Sequence, residues 1–336
     1  MDRTAAAQIA RLLDGASRIL ITSHRDPDGD SIGSQLAFYE YWTRQRRRTA
    51  DVLDDGPLPT RYRFLDPDRV IRKPPRRIKP RWDAAVVFEC SSLDRVGAVF
   101  PLFPAGLPII NIDHHRNSEG FGTINVVDST RSSCTELVFE LLKHWRATVT
   151  PRMAQLIAAG ILTDTGQFHH PSTSVQTLEA TVALLRLGAD LTVLTDQIYF
   201  ALAESHFRLL HHVLGNAELR AGGRICFLIL RARDRRRFRV PVQEMEGLVD
   251  HSLSLKNVMV GALLKELGPR QTKVSLRSPG TVDVAKLARR FDGGGHRNAA
   301  GCVMDLPLHA AADTLERAIR PLLRKRAGLP DPNDPG

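Results

Sequence analysis

The chain has 336 residues, is 43% hydrophobic, and carries 47 Lys and Arg against 37 Asp and Glu, a formal net charge of +10. That length points to two domains of ordinary size, and that composition supplies real cores. No run of about 18 apolar residues occurs, which argues against a helical membrane span. The arginine excess is compatible with a polyanionic ligand, although genome composition alone produces the same balance. The N-terminus carries an early acidic residue and no apolar signal core, so no secretory signal is expected. Cys90, Cys134, Cys226 and Cys302 form no Cys-x-x-Cys pair. They support neither a zinc ribbon nor a disulfide framework, and a reducing cytoplasm is the default.

In chain order, residues 4–16 read as a helix with Ile9, Leu12 and Leu13 on one side. Residues 18–22 read as a buried strand. Ser23, His24, Arg25, Asp26, Pro27, Asp28, Gly29 and Asp30 follow, before a helix from Gln35 through Trp42 that ends in the basic run 44–48. This run reads as a solvated face favoured by the helix dipole. In an extended loop Asp28 and Asp30, two apart, project the same way. Oxygen-rich ligands with one imidazole suit manganese or magnesium better than structural zinc. Taken alone, the stretch reads equally as a solvated turn and helix cap.

Further strand and helix ends then carry acids or imidazoles. Residues 50–54 read as a strand and 56–81 as a Pro-rich basic loop. Residues 83–88 form a buried strand ending in Glu89, and 107–112 another ending in Asp113, His114 and His115. Residues 122–127 read as a strand, and Ser132 or Ser133 caps a helix through Leu142. A helix opened by Pro151 leads to Asp164, where a lone carboxylate after an apolar face needs a positive neighbour. Helices are expected over 173–215 with a break at 188–190. Strands follow at 224–230, 257–264 and 272–277, then a helix at 283–291, a Gly-rich motif, and a last amphipathic helix at 308–325. Arg231 to Arg239 reads as a solvated loop.

Four motifs stand in order: His24-x3-Asp28-x-Asp30, Asp113-His114-His115, Gly160-x2-Thr163-Asp164-Thr165-Gly166, and Gly293-Gly294-Gly295-His296-x2-Ala299-Ala300-Gly301. On these, over about residues 10–325, the chain resembles the DHH phosphoesterase family. It looks most like the short two-domain members, the nanoRNase and adenosine 3',5'-bisphosphate (pAp) phosphatase type. The expected fold is α/β with two domains. Residues 1–190 form a larger parallel-sheet DHH metal-binding domain and 191–218 a helical linker. Residues 219–326 form a smaller DHH-associated substrate-binding domain, followed by a disordered tail at 327–336.

The resemblance implies two manganese ions, with magnesium or cobalt as substitutes. One would take His24 and Asp28; the other would take Asp30, His114 and Asp164; Glu89 would reach both. The family more often has Asp there, and glutamate is one methylene longer. Asp83 and Asp94 are the alternatives, but Asp83 is at the wrong end of the strand and Asp94 lies beyond it. Asp113 would support His115, which contacts the scissile phosphate or protonates the leaving oxygen, or else only orients Asp113. Arg277, Ser278, Gly293, Gly294, Gly295, His296, Arg297 and Asn298 would hold substrate in a cleft between the domains. The implied activity is manganese-dependent hydrolysis of very short RNA, dinucleotides to about five-mers, to mononucleotides, with 3'-phosphatase action on pAp. A cyclic or linear dinucleotide (c-di-AMP or pApA) phosphodiesterase and a non-catalytic nucleotide sensor are the alternatives. A cytoplasmic homodimer without membrane attachment completes the expectation.

Overall fold

The apolar runs of the N-terminal half become the strands of one sheet. The computed structural model describes residues 1–75, 81–240, 245, 247–295 and 297–324. His296 and the tail expected to be disordered lie outside them. The chain divides into two units, Met1–Ala201 and Leu202–Gly336. The first runs α1 (Arg3–Asp14), β1 (Arg18–Thr22), α2 (Gly29–Glu40), β2 (Thr49–Leu53), β3 (Ile71–Arg72), β4 (Ala84–Phe88), β5 (Ile109–Asp113) and β6 (Ile124–Val127). Helices α3 (Cys134–His144), α4 (Pro151–Asp164), α5 (Val175–Arg186) and α6 (Leu191–Thr195) complete it.

The strand order is β3-β2-β1-β4-β5-β6, and every neighbouring pair is parallel. Such a sheet needs apolar cover on both faces. Ile19, Ile21, Val86, Phe88, Ile110 and Ile112 point into the main core. The alternate residues Leu20, Ala85 and Val87 point to a second cluster with Trp82, Val96 and Val99. Chain order reverses between β1 and β4, so their carboxyl ends flank a switch point, where open α/β sheets bind ligands. Thr22 pairs with Val87, and Phe88 with Ile112. In-register pairing therefore carries His24, Glu89 and Asp113 to one edge.

Three sequence expectations change here. Asp28 and Asp30 do not lie in an extended loop: α2 begins at Gly29 with Asp28 as its cap, so the two carboxylates diverge. The 56–81 stretch contains a 3₁₀ turn at Thr60–Leu65 and the short edge strand β3. Of the basic run after α2, Arg46 pairs with Asp14 at 2.8 Å and Arg48 donates to the Leu13 carbonyl at 3.3 Å. These side chains fasten the chain to α1, where a solvated face was expected.

The second unit runs α7 (Glu204–Gly215), β7 (Glu218–Arg220), β8 (Ile225–Leu230), α8 (Ala232–Phe238), β9 (Val260–Gly268) and β10 (Gln271–Arg277). Then come α9 (Val284–Ala288), β11 (Gly294–Gly295), β12 (Ala299–Met304) and α10 (Leu308–Arg324). Its sheet order is β11-β12-β10-β9-β8-β7, with β8 and β9 parallel and the other pairs antiparallel. Phe227, Ala262, Leu264, Val274 and Leu276 form one face of its core, with Leu287, Leu315 and Ile319 from α9 and α10. The Arg231–Arg239 stretch is helical rather than a loop. Buried Asp234 accepts from the Arg231 amide and lies 3.3 Å from the His212 ring.

Helix α2 is buried along nearly its whole length and meets α4 at glycine. A Cβ on Gly33 would stand 2.4 Å from the Leu156 carbonyl oxygen, a backbone atom that cannot swing aside. Gly33→Ala is expected to lower unfolding free energy by about 1–3 kcal/mol, measured by urea denaturation.

Candidate metal centre

Each motif contributes its side chain from an element end. Asp28 caps α2: its Oδ1 accepts the amides of Asp30 and Ser31 at 3.1 and 3.0 Å. Asp30, in the first turn, is fully buried and accepts the first amides of α3, from Cys134 at 2.6 Å and Thr135 at 2.8 Å. One carboxylate thus satisfies a helix N-terminus and lies among the site residues. Glu89 follows β4 with φ 52°, a left-handed conformation that a non-glycine residue adopts only when its surroundings compel it. Asp164 closes α4, where the helix dipole disfavours negative charge.

The imidazoles are oriented from behind. His24 donates through Nδ1 to the Arg25 carbonyl at 2.7 Å, and its Nε2 lies 3.8 Å from Glu89 Oε2. His114 turns Nδ1 towards the Arg131 carbonyl at 3.4 Å. Its Nε2 lies 3.2 Å from Asp164 Oδ2 and 3.9 Å from Asp30 Oδ2. A backbone carbonyl on one ring nitrogen and carboxylates near the other is the arrangement of metal-binding histidines. His115 donates Nδ1–H to Asp113 Oδ1 at 2.7 Å, and the same oxygen accepts the His115 amide at 3.1 Å.

Among the described residues, three sets of side chains have ligand atoms within 4.8 Å of one another: His24, Asp28 and Glu89; Asp30, His114 and Asp164; Glu89, His114 and His115. Glu89 belongs to two of them, one with His24 and Asp28 and one with His114 and His115. Asp83 is drawn away: it accepts the Ser17 and Arg18 amides at the far end of the sheet. Asp94 sits in the 3₁₀ segment Leu93–Leu102.

The electrostatics call for a cation. Burial, then the charges of Asp28, Asp30 and Asp164, hold the Glu89 carboxyl well above the usual carboxylate range. Burial also pushes Asp164 up to about 8, against the pull of His114 and with repulsion from Asp30 and Asp28. Asp30 is raised by burial too, although His114 and the α3 amides pull it back. Asp28 escapes: burial is outweighed by His24 and by hydrogen bonds from Ser31 and Glu89, and its pKa is about 2. Asp113 likewise is brought to about 2, burial being overcome by His115. His115 itself is lowered, because burial outweighs Asp113. His114 is raised, its acidic neighbours Asp164, Asp30 and Asp113 overcoming burial. Glu89 Oε2 is buried with no hydrogen-bond partner. Crowded oxygens, one of them orphaned, with imidazole nitrogens between them fit hard divalent cations.

One supporting acid escaped notice in the sequence. Asp54, just past β2, is buried and accepts from the Ser23 amide at 3.0 Å and Gln35 Nε2 at 2.8 Å. It braces the segment that carries His24. Its signal was a further acid at a strand end.

In the second unit, the substrate-holding candidates have local tasks. Arg277 Nε donates to Asp250 at 2.6 Å. Ser278, buried, uses its hydroxyl to accept the Gly280 and Val282 amides. Arg297 donates to the Gly280 carbonyl at 3.4 Å, and the Asn298 carbonyl accepts the Ser278 amide at 2.9 Å. A Cβ on Gly293 or Gly295 would strike the Gly301 or Ala299 carbonyl at 2.2 or 2.6 Å, so close backbone approach to β12 requires glycine at both. Gly294 faces open space.

A model of the DHH family N-terminal domain matches residues 18–161, and one of the DHHA1 domain matches residues 224–322. The bifunctional oligoribonuclease and PAP phosphatase NrnA of Thermus thermophilus is 32% identical, covering 96% of this chain and 94% of its own. The NrnA of Bacillus subtilis is 26% identical over 88% and 91%. An exopolyphosphatase-related protein from Bacteroides fragilis superposes with a TM-score of 0.87 at 27% identity, over 96% of this chain and 98% of that one. Fold and site together define a two-domain phosphoesterase whose His and carboxylate cluster suits metal ions. The chain belongs to the DHH family, in the group of two-domain members with a C-terminal DHHA1 domain.

Asp164 keeps its proton to about 8 in the folded, cation-free chain, against 3.8 as its ordinary value. Its contribution to stability is therefore complete below about 3.8 and lost as pH rises towards about 8. A bound cation reverses that sign by favouring the ionised form. The rise in Tm on adding manganese is expected to be larger near pH 8 than near about pH 6, measured by scanning fluorimetry against a chelator control.

Proposed function

We propose that this chain is a manganese-dependent phosphodiesterase that degrades very short RNA to mononucleotides and removes the 3'-phosphate of pAp. One observation carries the chemistry: His24, Asp28 and Glu89 stand beside Asp30, His114 and Asp164 at the switch point of a parallel sheet. The substrate class is supported by end-to-end similarity to proteins named oligoribonuclease and PAP phosphatase.

In this reading His24, Asp28 and Glu89 would hold one manganese and Asp30, His114 and Asp164 a second, with Glu89 available to both. Bound there, two divalent cations supply Lewis acidity towards a phosphoryl oxygen and neutralise charge that grows at phosphorus. The protein's own residues do the rest. Asp113, ionised, fixes the His115 ring through Nδ1 and leaves the Nε2 lone pair to take a proton from the attacking water and hand it on to the leaving oxygen. The Asp30 bonds to α3 and the Asp54 brace keep the cluster in place before substrate arrives. Arg277, Gly294 and Arg297, all in the second unit, serve a terminal nucleotide. Among the described residues no helix is long and apolar enough to cross a membrane. The free, buried cysteines suit a reducing cytoplasm.

The test is one assay with manganese, offering RNA of two, about five and about twenty-four nucleotides beside pAp and c-di-AMP. Dinucleotide is expected to be cleaved fastest and the longest strand least, with Asp28→Ala inactive. His115→Ala should lower kcat by roughly 10²–10⁴-fold while retaining metal content. Preferential cleavage of c-di-AMP, or of the longest RNA, would overturn the substrate assignment.

A further inference from the structure

In the first unit Arg18 pairs with Asp51 and Arg131 with Glu140. Two other arginines of that unit, Arg25 and Arg95, are drawn together without such a partner. Arg25 directly follows His24, and Arg95 lies in the first turn of the 3₁₀ segment after β4, so both stand at the sheet edge that carries the metal-centre residues. The Arg25 amide donates to the Arg95 carbonyl at 2.7 Å, and its guanidinium Nη2 donates to the Asp94 carbonyl at 3.4 Å. Arg95 Nη1 donates to the hydroxyl of buried Ser91 at 3.1 Å, two residues after Glu89. The Ser91 carbonyl accepts the Glu119 amide at 2.8 Å, from the segment after β5. The chain after β1, β4 and β5 is thus tied together, and a hydroxyl rather than a carboxylate sets the Arg95 guanidinium. Neither Arg25 nor Arg95 forms an ion pair with a described residue, the exposed Asp94 included. The charge is felt inside the site: burial chiefly, then His114 and Arg95, lower the His115 imidazole against the pull of Asp113.

We propose that Arg95, backed by Arg25, is the specificity-determining residue that admits a phosphate monoester to this site beside a diester. The inference rests on the catalytic reading above and assigns its monoester branch to one side chain. The two substrates differ at the scissile phosphorus by one charge. A 3'-phosphate monoester is mostly a dianion at neutral pH, its second pKa being about 6, whereas a phosphodiester is a monoanion. The carboxylates of the cluster repel the dianion more strongly. A cation at the rim is therefore what the monoester needs and the diester can largely do without. Arg95 has the right form for it. Nη1 is engaged by Ser91, while Nε and Nη2, the two donors along one edge of the guanidinium, take no hydrogen bond to a described residue. That edge is the fork that pairs with two oxygens of one phosphate. Two guanidinium groups held near each other also repel until an anion arrives, and a dianion relieves that repulsion better than a monoanion.

The test compares kcat/KM on pAp and on an RNA dinucleotide, with manganese, for the wild type, Arg95→Gln, Arg95→Lys and Ser91→Ala. Arg95→Gln is expected to lose about a hundredfold on pAp and about tenfold on the dinucleotide. Arg95→Lys keeps the charge but not the fork and should fall between. Ser91→Ala should move the same ratio in the same direction, more weakly. Manganese content and far-ultraviolet circular dichroism equal to the wild type's would exclude a folding fault. A second readout needs no turnover: inorganic phosphate should raise the Tm of the manganese-loaded wild type, and that of Arg95→Gln much less. Equal losses on both substrates, or a phosphate-induced rise in Tm that Arg95→Gln leaves intact, overturn the inference while the catalytic reading stands. So does a wild type that cleaves the dinucleotide and not pAp. Turnover of neither substrate overturns the catalytic reading and this inference with it.

Discussion

Like charge held at close range in a dry place is the constraint on which this molecule turns. Asp30 and Asp164 have ligand atoms within 4.8 Å of each other and of His114, Glu89 shares a second such set with His114 and His115, and Glu89 and Asp30 are buried from water. Without a counter-charge they resist ionisation, which is why Glu89 and Asp164 are held so far above ordinary carboxylates. The fold tolerates this because other groups are bound tightly to the backbone around them. Asp28 is locked by the amides of α2, Asp30 by those of α3, and Asp113 by His115. The cluster is a set of oxygen and nitrogen atoms held to the backbone, whose carboxylates ionise together only beside positive charge.

The parallel sheet makes that crowding unavoidable. Strands β1, β4 and β5 run side by side in register, so whatever follows each strand arrives at the same edge. Helices α3 and α4 then bring the remaining groups from outside the sheet, and α2 is the hub between them. Gly33 and Gly160 let α2, α3 and α4 approach closely enough for Asp30 to reach the start of α3. Packing in the helical layer and charge at the strand ends are therefore one problem: loosening the glycine contacts would move Asp30.

The second unit follows another logic. Its mixed sheet packs against α9 and α10, and its Gly-rich motif is first a close-packing device. Gly293 and Gly295 are required by the carbonyls of β12, and the Ser278 hydroxyl by the turn after β10. Residues that resemble substrate-holding positions also hold the loop that presents them.

Much of this was legible in the sequence. Apolar runs of five or six residues mark buried strands, and the acids and histidines after them stand out, because a strand that enters a core cannot carry them earlier. Helix caps such as Ser133 are equally local. Three things were not local. The α2 start at Gly29 depends on Asp28 capping amides while Asp30 turns towards α3, a helix about a hundred residues away in the chain; spacing alone suggested an extended loop. Arg46 and Arg48 looked solvated until α1 came to lie beside them. Asp54 looked like the unremarkable end of a strand, and only the β1–β2 pairing placed it beneath Ser23. Sequence by itself determined which residue types stand at element ends, because hydrophobic periodicity and capping act over a few residues. Tertiary structure decided which ends meet and which charges crowd, because strand order, register and long-range Coulomb interaction have no signature within a short window.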